Sequence, residues 1–338
     1  MKKTKIGLIL ILIILFSSAI LYTGHFLSHL YIHTHDQWSI GINLLTYDKN
    51  SGFKLVDLPG VKNPILTYQD ITDQKAEFVA DPFIVKEDNK LYVFFETKNI
   101  EKGVISLAES DDGIKWAYKG TVLHEPFHLS FPNVFKFNDK YYMVPESGRN
   151  KDIRLYQSFN FPYDWRLAKV LIKGKGFVDP TIFSYQKKWW ILTTEGNYLL
   201  RLYYADDLMG NWTEHPKSPV VKNNPNTGRL GGNIIKIDNR IIRIAQDCFP
   251  TYGNSIRVFE ITTLTDHEYK EKELRTFPQI KILKTGWNQD GIHTFSTCEI
   301  NKDEWLVCMD GSTYKSSPYI SSKYRIKIDK IFLKLLNF

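Results

Sequence analysis

The sequence predicts an all-β fold, a five-bladed β-propeller preceded by one N-terminal transmembrane helix. Three observations lead there. Five segments share one pattern of apolar strand, tight polar turn and second apolar strand. No long amphipathic helix interrupts them, and a single uncharged apolar run stands near the N-terminus. At 338 residues the chain is long for one modest domain, but propellers of this length form one unit.

The N-terminal run comes first. Lys2, Lys3 and Lys5 precede an uncharged stretch from Ile6 to Tyr22, which as a helix crosses the roughly 30 Å hydrocarbon layer. A cleaved signal peptide has a shorter apolar stretch of about 7–15 residues closed by a small-residue site. Ser17-Ser18-Ala19 offers such a site, but the apolar run continues through it. No Lys or Arg follows until Lys49, so the charge bias holds the N-terminus in the cytoplasm. The expected layout is a tail over 1–5, a signal-anchor over 6–24, a juxtamembrane stalk over 25–37 and the propeller over 38–338. That is a single-pass type II membrane protein with its soluble part outside the cytoplasm. In a eukaryote this means the Golgi or ER lumen, and in a bacterium the cell exterior or periplasm. His25, His29 and His33 follow at helical spacing with His35 close by. Stacked imidazoles suit a metal, yet no carboxylate or Cys stands beside them, and a stalk accepts His freely.

The repeats come next. Ala80-Asp81-Pro82-Phe83 with Leu91–Glu96 opens the first blade, and Phe131-Pro132-Asn133 with Tyr141–Glu146 the second. Val178-Asp179-Pro180-Thr181 with Trp189–Thr193 opens the third, Gly231-Gly232-Asn233 with Ile241–Ala245 the fourth, and His293–Ser296 with Trp305–Cys308 the fifth. Each is a hairpin signature. The blades start near 80, 131, 178, 230 and 292, about every 50–60 residues, which is propeller spacing. A ring of such blades leaves few exposed strand edges. Trp38–Ile42 reads as a strand that pairs into the last blade and closes the ring. Ser110–Gly113 and Asp206–Gly210 are read as turns, where Asp and Gly supply the backbone geometry, rather than as acidic metal motifs.

Composition narrows the function. The net charge of +7 comes from scattered Lys and Arg, not from the clustered stripe of a nucleic-acid footprint, so no nucleic-acid partner is expected. An anionic membrane or a phosphate-bearing substrate is compatible with it. Aromatic residues reach 14%, a level that suits strands and also suits stacking on sugar rings. Of three cysteines, Cys298 and Cys308 flank a short polar turn and are candidates for a cross-hairpin disulfide, with Cys248 left over. Asn211-Trp212-Thr213 is a glycosylation sequon for a host that offers the pathway.

In a propeller the residues opening each blade converge on the central channel. That gathers Asp81, Asp179, His293 and the Arg229–Asn233 stretch around one opening, with Glu146 and Asp247 at the ends of second strands. Asp-Pro is by itself a turn device, in which Asp accepts local N–H bonds and Pro sets φ. Two of them at equivalent points of two blades instead make the core of a site for a glycosidic bond. Arg229 suits an anionic group such as a sugar-nucleotide diphosphate or a phospholipid head group, and His128 suits a sugar hydroxyl; each also reads as an ordinary loop residue.

These openings resemble those of family 43 glycoside hydrolases and their relatives, five-bladed propellers of the arabinanase, levansucrase and invertase type. The resemblance implies that Asp81 is the catalytic base and Asp179 the group that orients the acid and tunes its pKa. The family's general acid is a Glu opening blade four, where this chain has Gly228-Arg229-Leu230-Gly231-Gly232-Asn233. The family also implies a structural calcium beside a central His, here His293, although no cofactor or obligatory metal is expected. A fuller match runs through Ala80–Phe83, Gly103–Ser110, Glu125–Pro132, Val144–Ser147, Phe177–Thr181, Trp212–Pro216 and Ala245–Cys248. In these stretches the sequence resembles the propeller domain of glucosamine inositolphosphorylceramide transferases and their bacterial look-alikes. Plant members carry a separate nucleotide-sugar transferase domain after the propeller, and none is expected before Phe338.

The resulting expectation is a membrane-anchored glycosyltransferase-type enzyme acting on a cell-surface glycan or glycolipid, with a sugar nucleotide as a candidate donor. Asp81 deprotonates the acceptor, Asp179 and Glu146 position groups, and Arg229 with His128, Asp247 and His293 binds substrate. Two alternatives stand beside it. One is a glycoside hydrolase whose acid is replaced by Glu146 or Asp247. The other is a non-catalytic glycan-binding subunit.

Overall fold

Apolar strands closed by tight turns build every blade, with Asp or Asn in the inner hairpin turn of every blade but the third. The inner hairpin turns hold Asp88, Asn138, Asp139, Gln186, Lys187, Asp238 and Asp303 at positive φ. Asp and Asn adopt that conformation more readily than most residues. The protein, a computed structural model, is described over residues 30–275, 277–278 and 286–320, with side chains described within 37–313. Gln37–Thr313 forms one compact unit that holds the propeller.

Five antiparallel sheets make five blades. Blade one is Ala76–Glu87, Lys90–Asn99, Gly103–Ser110 and Ala117–Leu123. Blade two is Ser130–Phe137, Lys140–Glu146, Asp152–Asn160 and Tyr163–Lys173, and blade three is Phe177–Tyr185, Lys188–Glu195, Leu199–Ala205 and Thr213–Glu214. In blade four the inner strand is split into Arg229–Leu230 and Ile235–Ile237, both paired with Arg240–Asp247, beyond which lie Ser255–Leu264 and Tyr269–Glu273. Blade five takes Phe295–Asn301 and Glu304–Ile320 from late in the chain, then Leu30–Asp48 and Gly52–Asp57 from early in it. The expected closure by the Trp38–Ile42 segment is therefore present, and the closing strand begins at Leu30, inside the stretch expected as stalk.

The core is five apolar clusters, one between each pair of successive blades. Phe94, Leu107, Met143 and Tyr156 fill the first gap, and Val144, Leu155, Ile191 and Tyr203 the second. Trp190, Leu202, Leu230 and Ile261 fill the third, and Ile244, Val258, Phe295 and Trp305 the fourth. Ile40, Ile42, Val93 and Phe95 join the last blade to the first. Burial at roughly 25 cal/mol per Å² of apolar surface makes these seams the main source of stability. A buried ion pair interrupts the apolar packing of blade four. Arg243, 0% exposed, donates to both oxygens of Glu271 at 2.7 and 2.6 Å and stacks over Phe259.

The expected transmembrane helix over 6–24 lies outside the described residues. Among the described residues no helix is long and apolar enough to cross a membrane. The side chains of His25, His29, His33 and His35 also fall outside them. Ser110–Gly113 is a turn, with Asp112 Oδ1 accepting the N–H groups of Ile114 and Lys115 at 2.8 Å. The candidate Cys298–Cys308 disulfide, which the sequence left open, is not formed: both thiols are free. The strand register sets Cys298 opposite Leu306 and Cys308 opposite Ser296, so the two sulfurs are offset by one pair along the same face.

Candidate functional site

The three X-Pro openings share a backbone device. Asp81, Phe131 and Asp179 each hold positive φ, at 51°, 46° and 51°. The ladder slips at each, between Ala80 and Phe83, Ser130 and Asn133, and Val178 and Thr181. A bulge re-aims a side chain out of the sheet face. Here it turns Asp81 and Asp179 toward the axis. Opposite these bulges, the second strands of blades one to three present Glu96, Glu146 and Thr194, and the second strands of blades four and five place Gln246 opposite Arg229 and Asp310 beside Thr294.

Asp81 is 4% exposed. Its Oδ1 accepts from Thr294 Oγ1 at 2.8 Å and lies 2.9 Å from His293 Nε2, while Oδ2 accepts from the Phe131 N–H at 3.2 Å. The other ring nitrogen of His293 is 3.1 Å from Asp310 Oδ2. Asp310 Oδ1 takes the backbone N–H groups of His293 and Thr294, and Oδ2 that of Asp81. The imidazole is thus held between two carboxylates. Burial opposes its charge, but Asp310 and Asp81 outweigh burial and keep His293 protonated well above the ordinary histidine range. Burial likewise favours the neutral form of Asp81, and the imidazolium overrides it and lowers the carboxyl below its usual range.

Two neighbouring carboxyls behave in the opposite way. Burial, reinforced by the charge of Asp179, raises Glu146 well above the carboxylate range, with Arg229 opposing. Burial also raises Glu96, reinforced by Asp81 and Glu146. Glu96 Oε1 is buried without a hydrogen-bond partner. Behind this pair, Asp179 Oδ2 meets Arg229 Nε at 2.5 Å and Gln246 Nε2 at 3.0 Å, and the Asp179 N–H points to Glu146 Oε2 at 3.4 Å. The Arg229 guanidinium stacks over Tyr252, 5.0 Å from the ring centre. Trp38 and Tyr252 flank His293, with ring centres 4.2 and 5.1 Å away.

These groups enclose a cavity of about 180 Å³ whose lining includes Asp81, Glu96, Glu146, Arg229, His293 and His128. Trp38, Phe78 and Tyr252 add apolar faces. It is a small, acid-lined, aromatic-walled space. Five of the residues singled out from the sequence meet here: Asp81, Glu146, Arg229, His128 and His293. Asp179 sits directly behind the wall, 1% exposed. Asp247 does not line the pocket. The register pairs Arg229 with Gln246, so Gln246 takes the inward position and Asp247 falls one residue beyond. There its Oδ1 accepts from Asn226 and from the Phe249 N–H. Arg229 reaches the pocket, but its charge is matched by Asp179 instead of being free for a phosphate.

Sequence reasoning missed Glu96, Asp310, Trp38, Tyr252 and Gln246. A signal for two of them was available, since Glu96 and Asp310 occupy the second-strand position facing the blade opening that Glu146 occupies in blade two. Asp81, His293 and Asp310 bring their ligand atoms within 4.8 Å of one another, as a cation site would. The calcium implied by family 43 does not fit them. Calcium takes six to eight oxygen ligands, whereas here an imidazole sits between the carboxylates and their oxygens already accept N–H and O–H groups.

Fold and site together define a five-bladed β-propeller with a carboxyl-rich axial pocket. Solved structures of that architecture superpose on it. A β-1,2-mannobiose phosphorylase from Listeria innocua aligns with a TM-score of 0.57 at 12% identity, over 79% of this chain and 96% of that one. The catalytic domain of a GH62 α-L-arabinofuranosidase from Coprinopsis cinerea gives 0.56 at 13%, over 73% and 94%. These likenesses establish the fold. The chain belongs to the family described as glucosamine inositolphosphorylceramide transferase 1, N-terminal, which matches residues 52–312. The glucosamine inositolphosphorylceramide transferase 1 of Oryza sativa subsp. japonica is 34% identical over 270 residues. That alignment takes in 76% of this chain and 36% of the rice protein, so the chain matches about a third of the length of that relative.

Proposed function

We propose that this protein is a carbohydrate-active enzyme of the glycosyltransferase type, working on a glycan or glycolipid at a membrane surface, with the axial pocket holding the reacting sugar. The observation that carries the reading is that one small cavity holds Asp81, whose carboxyl the adjoining His293 imidazole pulls below its usual range, beside Glu146 and Glu96, whose carboxyls burial pushes well above theirs. Neighbouring groups whose acidities are driven apart are the usual division into base and acid. The acceptor hydroxyl gives its proton to Asp81 as its oxygen bonds to the anomeric carbon. Glu146 returns a proton to the departing oxygen, and Asp179 with Arg229 sets the acidity of Glu146. The names of the plant relatives support glycosyl transfer to a glycolipid. The apolar run Ile6–Tyr22 with Lys2, Lys3 and Lys5 supports a type II anchor with the propeller outside the cytoplasm.

A binding role without chemistry is the second reading. It is favoured by the load on Asp81, whose oxygens already meet Thr294, His293 and Phe131. The deciding experiment is saturation-transfer NMR on the full chain with sugar nucleotides and short oligosaccharides, followed by turnover assays of Asp81→Asn. Selective binding of one sugar nucleotide, with turnover lost in Asp81→Asn and binding kept, supports the transferase. Engagement of oligosaccharides alone, with no turnover, leaves a glycan-binding protein.

A further inference from the structure

Outside the pocket lies a second, wider cavity of about 590 Å³, lined by Lys98, Glu101, Lys102, Pro126, Phe127, His128, Glu146 and Arg149. It shares Lys98, His128 and Glu146 with the pocket, so the two spaces adjoin. Its charge is lopsided. Three cations face two carboxyls, Glu101 and Glu146, and burial pushes the Glu146 carboxyl up toward its neutral form. Lys98 reaches Glu77 at 3.5 Å, but Lys102 and Arg149 pair with no carboxylate among the described residues. The Lys102 ammonium is tethered by the Glu125 carbonyl, which fixes its position without neutralising its charge.

His128 marks the junction. Its Nδ1 accepts the Gly103 N–H at 2.8 Å, so in the neutral ring the proton is on Nε2. Burial keeps the ring neutral, with the Lys98 and Arg149 charges adding to it against Asp81. Nε2–H is then a donor lodged between the two spaces, 3.6 Å from Glu96 Oε1. Gly103 makes the arrangement possible. A Cβ there would stand 2.4 Å from Glu96 Oε1, 2.4 Å from the Leu129 carbonyl and 2.8 Å from the His128 ring.

We infer that this vestibule is a phosphate-binding subsite formed by Lys98, Lys102, Arg149 and His128 Nε2–H, so that the sugar in the pocket belongs to a phosphate-bearing ligand. The inference rests on the sugar reading of the pocket and adds the class of ligand. It moves the phosphate away from Arg229, whose charge Asp179 already matches. Two cations without a carboxylate partner, the tethered Lys102 and Arg149, with Lys98 beside them and the neutral His128 N–H donor, suit a phosphate oxygen cluster. A nucleoside diphosphate sugar and a phosphodiester-linked lipid headgroup share that chemistry.

Calorimetric titration of the full chain with pyrophosphate and with glycerophosphoinositol at low salt tests it. Binding of either probe is expected, weakened about tenfold or more in Lys102→Ala/Arg149→Ala and weakened by added salt. The exposed Arg149→Ala alone gives a smaller loss in the same direction without a change in melting temperature. Stronger binding of pyrophosphate identifies a nucleotide ligand, and stronger binding of the diester identifies a headgroup. Absence of binding by both, or equal binding by wild type and the double variant, overturns the inference. Neutral oligosaccharide binding, measured alongside, reports on the pocket alone, so its failure would count against the sugar reading and not against the phosphate subsite.

Discussion

Arg229, opening the fourth blade, meets Asp179 of the third at 2.5 Å, joining two blades at the wall of the pocket. The contact places a fixed positive charge at the blade-four opening, where the sequence resemblance to family 43 glycoside hydrolases leads to the expectation of a general acid. It also leaves Glu146 and Glu96 as the carboxyls of the site that burial pushes well above the usual range.

Removing that cation should therefore act on the acids. Arg229→Ala leaves Asp179 facing Glu146 with Gln246 as its remaining side-chain donor, and is expected to lower stability by about 2 kcal/mol, the scale of a lost charged hydrogen bond. Chemical denaturation of wild type and variant measures it. An unchanged midpoint would show that Gln246 suffices.

The buried pair Arg243–Glu271 gives a sharper structural expectation. Glu271→Ala strands a guanidinium that is 0% exposed, and breaking such a pair costs roughly 3–5 kcal/mol. Arg243→Met, which removes the charge while filling space, should cost less than Glu271→Ala. Equal losses would point to packing in place of charge.

Stability should fall on the alkaline side. Glu96 and Glu146 bind protons more tightly when folded. Their contribution is complete below the usual glutamate value of about 4.3 and is lost as pH rises through the folded value. His293 is also raised, so its contribution is full below about 6.5 and lost as pH climbs through its folded value. Asp81 is lowered and acts in reverse, its share disappearing only as pH falls through its own folded value. Melting curves across pH should thus peak in mild acid, and Glu96→Gln should flatten the alkaline decline. A decline as steep in that variant as in wild type would remove Glu96 from the account.

Gly103→Ala tests the junction between pocket and vestibule. Because one close contact is the Leu129 carbonyl, the backbone must move, at a cost of about 1–3 kcal/mol. His128 should shift with it, which the His128 imidazole signals in NMR would report. Unmoved signals in a stable variant would mean that Gly103 does not position the ring.

Much of the architecture was readable from residue order. The apolar hairpins with Asp and Asn turns define blades wherever they fall, because both strand pairing and turn conformation are local. The ring closure through Trp38–Ile42 followed from the fifth repeat having only one hairpin of its own. Asp81, Asp179 and His293 were legible because they open their repeats. The family resemblance ran through the same stretches.

What only the tertiary structure decided lies in contacts made across blades. Asp310 is 229 residues from Asp81 yet accepts its N–H, and Arg229 is 50 from Asp179. Whether Gln246 or Asp247 faces inward turns on a single step of register, since adjacent strand residues point to opposite faces. The acidities of Glu96, Glu146 and His293 follow from burial and from charges that meet only at the axis. The order of residues determined which side chains the ring would gather, and long-range packing determined which of them pair, which stay charged and which keep a proton.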